Sequence, residues 1–410
     1  MGVVGGVFAS PVARATPAEI FGAGPRSIAL AGSGTSLELG PESALLNPAT
    51  LAGPGDKQLE LGFRVSRFSL DLERSGVTEP YPVGLSRGLM IGVLAPLSRG
   101  RVCTGFGLFA ETPPDFVVRA SIPFDDTPTF PLLVGRAQAL DLGAGLGARL
   151  GPISLGVGVR ALAALSGSVS VAEEGGATST GVGTRLLPAW APVVGAALDL
   201  GELGRAGLAL RSVLRADFDV DVAATTLGPI GIAPLNVEGV AAYEPLRVDL
   251  ELSRDFGALS LVLGARYERW SAFDGWVGPT IECPASRPRC GTPPPPPPDY
   301  SDVVSPRVGA SYRFTLRPVA LTARAGYTLA PTPAPEQRGP KNELDATRHG
   351  VAAGYSLELP AWLLPLRLDA AFRFDLLAPR THVKRDAASG PPLRTSGSVQ
   401  TILFGAGVKL

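Results

Sequence analysis

Histidine and cysteine, two residue types common in catalytic and metal sites, are scarce in this chain. The 410 residues include two histidines, His349 and His382, and the one G-x-S-x-G match, Gly84–Gly88, lies inside a predicted strand and not on the strand-to-helix turn that exposes a serine nucleophile. The histidines and the three cysteines lack the spacing of a zinc site. Residues 143–147 read Gly-Ala-Gly-Leu-Gly, which is not the register of a dinucleotide-binding loop. We therefore expect neither an enzyme nor a bound metal or cofactor.

Two further groups of residues each have two interpretations. Asp217, Asp219 and Asp221 alternate along one segment and would either bind a cation or form a charge-paired face of a sheet, of which the second is favoured. Cys283 and Cys290 bracket a short part of a long loop, and they would form a disulfide in an oxidising compartment or remain two thiols. Neither group indicates catalysis.

The elements that must position all these residues are β-strands. Alternation of apolar and polar residues predicts 14 of them, and the connections between them alternate between long and short along the chain. An up-and-down barrel has this pattern, with short turns on one side of an outer membrane and long loops on the other. We therefore predict an all-β fold, a 14-stranded antiparallel up-and-down transmembrane β-barrel. The predicted strands cover residues 57–73, 82–96, 101–112, 133–149, 153–171, 184–201, 205–224, 236–255, 258–274, 303–316, 319–330, 348–359, 364–378 and 397–410.

The two faces of single strands differ in polarity. In residues 153–160 one face carries only Ile, Leu and Val, and in residues 366–375 a row of Leu, Ala and Phe alternates with a row rich in Arg and Asp. Extended over residues 208–221, the same alternation predicts that Leu214 faces lipid and Arg215 faces the lumen. A strand between lipid and a wet or plugged interior has this pattern.

The composition agrees with this fold class. Hydrophobic residues make up 45% of the chain and charged residues 18%, against about 25% charged residues in soluble domains. The formal net charge is zero, which removes the electrostatic case for binding nucleic acid. No run of uncharged apolar residues is long enough for a transmembrane helix, so a membrane protein of this sequence must be a closed barrel.

The residues ahead of the first strand differ from the rest. Residues 1–15 are mostly apolar and end in Ala-Arg-Ala, which fits a signal-peptide remnant. Residues 16–56 are first glycine-rich and then read as a short helical turn that ends at Asn47, because the residue before a proline is disfavoured in a helix. A 14-stranded barrel is wide enough to hold such a segment. We therefore predict an N-terminal hatch, residues 16–56, inside a barrel formed by residues 57–410.

Two stretches of this segment have a distinctive sequence: Gly24–Gly34 reads G-P-R-S-I-A-L-A-G-S-G, and Asn47–Ala52 reads N-P-A-T-L-A. They resemble the hatch of the FadL-type outer-membrane transporters of long-chain fatty acids and aromatic hydrocarbons. The resemblance continues in Glu268–Phe273 and from Arg324 to His349, although Thr50 replaces a frequent glycine and the chain ends in Leu410 rather than an aromatic residue. It implies 14 strands and a plug. The matching hatch residues are Gly24, Arg26, Gly32, Gly34, Asn47, Pro48 and Ala49.

The resemblance also implies a function. It implies passive uptake of hydrophobic molecules across a bacterial outer membrane by a monomer whose partners are its ligand and membrane lipid. By analogy a lateral exit lies beside strand 101–112, where Gly105 and Gly107 would allow a bend. Apolar loop residues would line the pocket or pack on the barrel rim, and Arg348 would meet an anionic head group or pair with a carboxylate. The candidate ligand-binding residues are Phe116, Val118, Ile122, Phe124, Phe130, Leu133 and Arg348.

Two other functions fit the same scaffold. An assembly or anchor barrel for secreted proteins is the first alternative. A general porin is the second, and a plug disfavours it because it blocks open conductance.

Overall fold

The fold is described from a computed structural model. It covers residues 20–53, 56–99, 101–112, 128–135, 140–174, 177–225, 235–275, 277–281, 298–316, 318–338, 342–360, 362, 365–383 and 391–410. The predicted signal-peptide remnant, Cys283 and Cys290 lie outside these residues. Within the described ranges, no helix has both the length and the apolar character needed to cross a membrane.

Fourteen strands form one closed antiparallel sheet, as predicted. Three of them, β7, β8 and β9, consist of two segments each, and β1 continues into a short hairpin with Val77–Pro80. The strands are β1 Gln58–Arg74, β2 Ser86–Arg99, β3 Val102–Thr112, β4 Asp141–Leu150, β5 Ile153–Glu174, β6 Ala177–Asp199, β7 Arg205–Arg211 and Leu214–Thr225, β8 Leu235–Glu244 and Arg247–Phe256, β9 Leu259–Glu268 and Val277–Ile281, β10 Val303–Leu316, β11 Val319–Ala330, β12 Arg348–Glu358, β13 Leu366–His382 and β14 Leu393–Lys409.

The sheet closes where the first strand meets the last. β1 pairs with β14 along its whole length, from Gln58 opposite Lys409 to Arg74 opposite Leu393. Every other strand pairs antiparallel with its neighbours in the sequence. Closure removes the exposed edges that an open sheet would present to lipid.

The predicted polarity of the two faces is confirmed on β5 and β13. Leu155 and Val157 of β5 point outward and are more than half exposed. On β13, Leu368 and Phe372 are exposed, whereas the alternate residue Arg373 is buried inside the barrel. The outer surface is therefore apolar and the inner surface charged, which is the arrangement that lipid outside and a polar filling inside require.

Two predicted strands are wrong in part. Residues 133–149 are not one strand, because Pro131–Gly135 forms a helical turn in which the Phe130 carbonyl accepts hydrogen bonds from Leu133 and Val134; β4 begins only at Asp141. Residues 258–274 are interrupted after Glu268 by the 3-10 helix Trp270–Ala272. In both places a local helical hydrogen bond replaces a ladder bond.

The predicted faces of residues 208–221 are also wrong beyond Arg211. The two segments of β7 are separated by Ser212 and Val213, and this break reverses the alternation. Leu214 is therefore buried, while Arg215 is exposed and pairs with the exposed Asp217 at 2.6 Å. The side chains of Asp219 and Asp221 lie outside the described residues.

The break in β7 coincides with a break in the wall. The β6–β7 ladder ends at Val193 opposite Arg211, and one further hydrogen bond follows it, from the Ser212 nitrogen to the Pro192 carbonyl at 3.2 Å. Beyond this point the second segment of β7 pairs in parallel with β5. Pro192 has no N–H to continue the ladder.

The outward face of β9 gives a test of membrane insertion. Leu263→Arg should lower the free energy of unfolding in lipid vesicles by about 2–4 kcal/mol, because a charge near the bilayer midplane is costly. Leu203→Arg is the matched control: Leu203 lies in a short turn and is 66% exposed, against 65% for Leu263. Its cost should be about 0–1 kcal/mol. A guanidinium titration in vesicles measures both variants. If Leu263→Arg and Leu203→Arg lower the free energy of unfolding equally, the result contradicts a lipid-facing β9.

Candidate functional site

The N-terminal segment, defined here as residues 20–53, fills the inside of the barrel. Nearly all of its residues are buried, including Phe21, Asn47 and Leu51. Its four short helices are Pro25–Ala29, Gly40–Glu42, Ser43–Leu46 and Pro48–Ala52, and they contact β1 to β6 and β11 to β14 of the wall. The segment therefore lies inside the barrel, and its role as a hatch stays a prediction.

Local sequence explains the turns of this segment. A proline stands at the start of the helices Pro25–Ala29 and Pro48–Ala52, where a missing N–H costs no helical hydrogen bond. The Asn47 side chain caps the second of these by accepting a hydrogen bond from the Ala49 nitrogen at 3.1 Å. It also donates to the Thr35 carbonyl at 2.7 Å and to the Ala196 carbonyl of β6 at 3.0 Å. Asn47 thus fixes both the shape of the segment and its position on the wall.

Glycines in the wall allow the segment to approach this closely. A Cβ atom on Gly105 of β3 would lie 2.0 Å from the Leu51 carbonyl oxygen, and one on Gly156 of β5 would lie 2.2 Å from the Ala49 nitrogen. Both distances are far below van der Waals contact. Gly105 is therefore required by the filling of the barrel, which is a different role from the predicted bend.

Arg26 joins the segment to the wall through carboxylates. Its guanidinium contacts Glu42 of the segment at 3.0 Å and Glu60 of β1 at 2.8 Å. Glu60 also pairs with Arg367 of β13, which contacts Asp369 at 2.9 Å. All five side chains are at least nine-tenths buried. Charges in such a place are stable only when they are paired, so this network fixes the position of the segment.

Asp249 of β8 is the centre of a second network. Its carboxylate accepts hydrogen bonds from Arg211 at 3.1 Å, Arg247 at 2.5 Å, Arg266 at 3.1 Å and Arg307 at 3.2 Å. Asp249 is 1% exposed. One carboxylate therefore orients four guanidinium groups, each of which would repel the others without it.

Two of these arginines also bind the backbone of the segment. Arg211 donates to the carbonyls of Leu45 at 2.5 Å and Leu46 at 2.8 Å, and Arg307 donates to the carbonyl of Gly32 at 2.6 Å. Asp249 thereby positions the donors that the buried carbonyls need. Such carbonyls would be costly to leave without a partner.

Glu251 supplies the complementary acceptor two residues along β8. Its carboxylate accepts hydrogen bonds from the backbone nitrogens of Gly34 at 2.9 Å and Ser36 at 2.8 Å. Neither Asp249 nor Glu251 was a predicted site residue. The signal that could have found them is the alternating row Arg-x-Asp-x-Glu at residues 247–251.

A second feature of the interior is an apolar cluster at the end of the barrel where the long connections lie. Phe130 packs edge-on against Tyr81, with ring centroids 5.0 Å apart. The cluster continues down to Phe21 of the N-terminal segment. We call its outer part the outer apolar cluster; it consists of Phe68, Leu70, Tyr81, Phe130, Leu133, Leu344, Ala346, Leu377, Leu393 and Val399.

The structure brings some of the predicted ligand-binding residues together. Phe130 and Leu133 are in the outer apolar cluster. Arg348 lies half-buried at the start of β12, three residues after Asp345, and its positive charge offsets part of the rise that burial causes in the pKa of the Asp345 carboxyl. Their role in ligand binding stays a prediction. Phe116, Val118, Ile122 and Phe124 lie outside the described residues.

The predicted lateral exit also stays a prediction. β3 pairs with β2 from Cys103 to Thr112 and with β4 from Val102 to Glu111, apart from one bulge opposite Pro96–Ser98. Gly107 faces the side chain of Leu51, and Gly105 faces the Leu51 backbone. An exit beside β3 would require this ladder to part.

An aromatic cluster formed by residues of β8, of the interruption in β9 and of the stretch before β10 was not predicted as such. Tyr243, Trp270, Phe273 and Tyr300 pack on one another with ring centroids 4.5–6.3 Å apart, and each is at most 5% exposed. The sequence placed Trp270 and Phe273 at a strand end. Their burial as a group explains why the 3-10 helix Trp270–Ala272 interrupts β9.

Asp249→Asn tests the second network. Removing the charge leaves four buried guanidinium groups without their shared partner, and we expect the free energy of unfolding to fall by about 3–5 kcal/mol. Asp255→Asn on the same strand is the control, because Asp255 is exposed and its replacement should change stability by about 0.5 kcal/mol or less. A guanidinium titration in vesicles measures the free energy of unfolding of both variants. If Asp249→Asn lowers it as little as Asp255→Asn does, Asp249 is not the centre of the network.

Gly105→Ala tests the close packing of the segment. The added methyl group overlaps the Leu51 carbonyl, so the segment should move and trypsin should cleave after Arg26 faster than in the parent protein. Gly84→Ala is the control, since no atom lies within 4 Å of a Cβ there. Mass spectrometry of the digest measures both rates. Unchanged cleavage in Gly105→Ala would show that the segment does not rest on β3.

Comparison of the structure with solved structures finds the same fold in transport proteins. No protein-family profile and no curated protein sequence matches this chain. A Pseudomonas aeruginosa FadL homologue superposes over 98% of this chain and 100% of its own, with a TM-score of 0.63 and 14% identity. The P. putida toluene transporter TodX (95% and 99% covered, TM-score 0.58, 16% identity) and the Ralstonia pickettii toluene transporter TbuX (94% and 98%, 0.57, 17%) are similar as well. The chain therefore has, over nearly its whole length, the barrel fold found in these FadL-type structures.

Proposed function

We propose that this chain carries small hydrophobic molecules across a bacterial outer membrane. The observation that carries the proposal is the combination of a filled lumen with an apolar cluster at one end of it. A filled and charged lumen does not suit bulk diffusion of polar solutes, whereas an apolar cluster suits a lipophilic ligand. The fold shared with a FadL homologue and with two toluene transporters supports this choice.

The ligand would enter at the outer apolar cluster. This cluster is built from β1, β13 and β14 together with the loop residues around Phe130 and Leu344, so it lies on rigid strands under the long connections. It is continuous with Ile20, Phe21 and Ile28 of the N-terminal segment. A ligand seated there would press on the segment, and movement of the segment would free the route beyond it.

We place the lateral exit of this route between β6 and β7. The ladder between these strands already ends at Val193 and Arg211, whereas both ladders of β3 would have to part. Small apolar side chains close the break. The buried residues there are Leu162, Ala191, Leu214, Ala216 and Ala242.

A pair of disulfide locks tests the exit. In a variant whose native cysteines are replaced by serine, a Pro192→Cys/Ser212→Cys disulfide across the break should stop uptake, and a reducing agent should restore it. A Leu108→Cys/Ala144→Cys disulfide, which joins opposite residues of β3 and β4, should leave uptake unchanged. The reverse result would place the exit beside β3. If neither disulfide changes uptake, that result contradicts a lateral exit.

Uptake and conductance together test the proposed function. Cells that carry the protein should take up hydrophobic compounds faster than cells without it, and the intact protein should pass little current in a planar bilayer. Deletion of residues 22–52 should open a steady conducting pore, because it empties the lumen. Unchanged uptake in cells would favour an assembly or anchor barrel. Large currents through the intact protein would favour a porin.

A further inference from the structure

We propose that the molecule carried is an uncharged hydrophobe with a hydroxyl group, and that Asp345 binds this hydroxyl beside the outer apolar cluster. The inference rests on the proposed function and narrows its ligand class. Three observations support it: a buried carboxylate with an unused oxygen, its apolar chain neighbours, and the commitment of the nearby arginines to other partners.

Asp345 has a hydrogen-bonding atom that the described part of the chain leaves without a partner. The residue is 3% exposed, and its Oδ2 accepts a hydrogen bond from the Thr332 hydroxyl at 2.5 Å. Its Oδ1 is buried and makes no hydrogen bond with any described residue. A buried polar atom in this state is costly, so it marks a place where a ligand group is expected.

Asp345 lies in the chain between two residues of the outer apolar cluster. Its chain neighbours Leu344 and Ala346 are both members of the outer apolar cluster. The backbone nitrogen of Leu344 donates to the carbonyl of Thr129 at 2.7 Å, which ties this loop to the residues before Phe130. Burial raises the pKa of Asp345 above its ordinary value, and the positive charge of Arg348, the Thr332 hydroxyl, the Ala346 backbone N–H and the positive charge of Arg380 offset this only in part.

The arginines around the cluster are already engaged. Arg64, whose guanidinium lies 4.9 Å from the Phe21 ring centre, pairs with Glu111 at 2.6 Å. Arg373, which donates to the Phe21 carbonyl at 3.0 Å, pairs with Asp375 at 2.8 Å. A ligand carboxylate would have to compete with these internal carboxylates for a cation.

Arg380, the arginine nearest to Asp345 on β13, is engaged as well. It donates to the carbonyl of Ala334 at 2.9 Å and to that of Asp345 itself at 3.3 Å. A carboxylate ligand would therefore meet the acidic side chain of Asp345, while Arg64, Arg373 and Arg380 already have partners. A hydroxyl group is suited to Asp345 in either protonation state, because it donates to a carboxylate and accepts from a carboxylic acid.

Three ligands of similar size separate the classes: 1-dodecanol, tridecane and dodecanoate. Their affinities are measured at pH 7.5 by displacement of N-phenyl-1-naphthylamine from the full-length protein in nanodiscs, with empty nanodiscs as the correction for partitioning. Dodecanol should bind about 3- to 10-fold more tightly than tridecane, which is the range for one added neutral hydrogen bond. Dodecanoate should bind least tightly.

Variants assign the preference to Asp345. Asp345→Leu should bind dodecanol and tridecane alike, whereas Asp345→Asn should keep a preference for dodecanol because an amide also donates and accepts. Asp302→Leu is the control, since Asp302 is an exposed loop carboxylate that binds the Tyr267 hydroxyl.

The affinities of the three ligands for the wild-type protein test the proposed ligand class even if a variant fails to fold. Dodecanoate binding as tightly as dodecanol would overturn the proposal and support an anionic head group at Arg348, while leaving hydrophobic transport in place. Equal binding of dodecanol and tridecane to the wild type would overturn the role of the hydroxyl. A wild-type protein that binds none of the three would overturn the proposed function as well.

Discussion

The structure depends on the pairing of buried backbone and charged groups between the barrel wall and the chain segment inside it. The N-terminal segment has short helices and turns, so many of its N–H and C=O groups find no partner within the segment. Charged wall residues take this role: Arg211 and Arg307 donate to its carbonyls, and Glu251 accepts from its nitrogens. Because these side chains are themselves buried, they need counter-charges, which Asp249 provides for both arginines.

Much of the barrel could be predicted because period-2 alternation is strong wherever a strand runs unbroken between lipid and lumen. Residues 153–160 and 366–375 show it, and the structure confirms their faces. The pattern failed at residues 208–221, since a two-residue break reversed the phase without a proline or glycine to mark it. It failed again at 133–149, where Pro131 begins a helical turn ahead of β4.

The interior was less predictable, because its meaning depends on contacts between distant parts of the chain. Asn47 could be recognised as a motif residue, but its bond to the Ala196 carbonyl requires the closed barrel. Gly105 could be interpreted as a bend, while the structure gives it a neighbour, Leu51, that no local pattern reveals. Asp345 is part of a motif region as well, and only the fold shows its buried, unused oxygen next to the apolar cluster.

The claim on which everything else rests is that the N-terminal segment lies inside the closed barrel, and chemical labelling tests it most directly. A cysteine is placed at Ala49, which is 1% exposed, or at the exposed hairpin residue Ser75, in a protein whose native cysteines are replaced by serine. The account predicts that a water-soluble maleimide labels the Ser75→Cys protein rapidly and the Ala49→Cys protein only after unfolding. Equally rapid labelling of both in the folded state would contradict it.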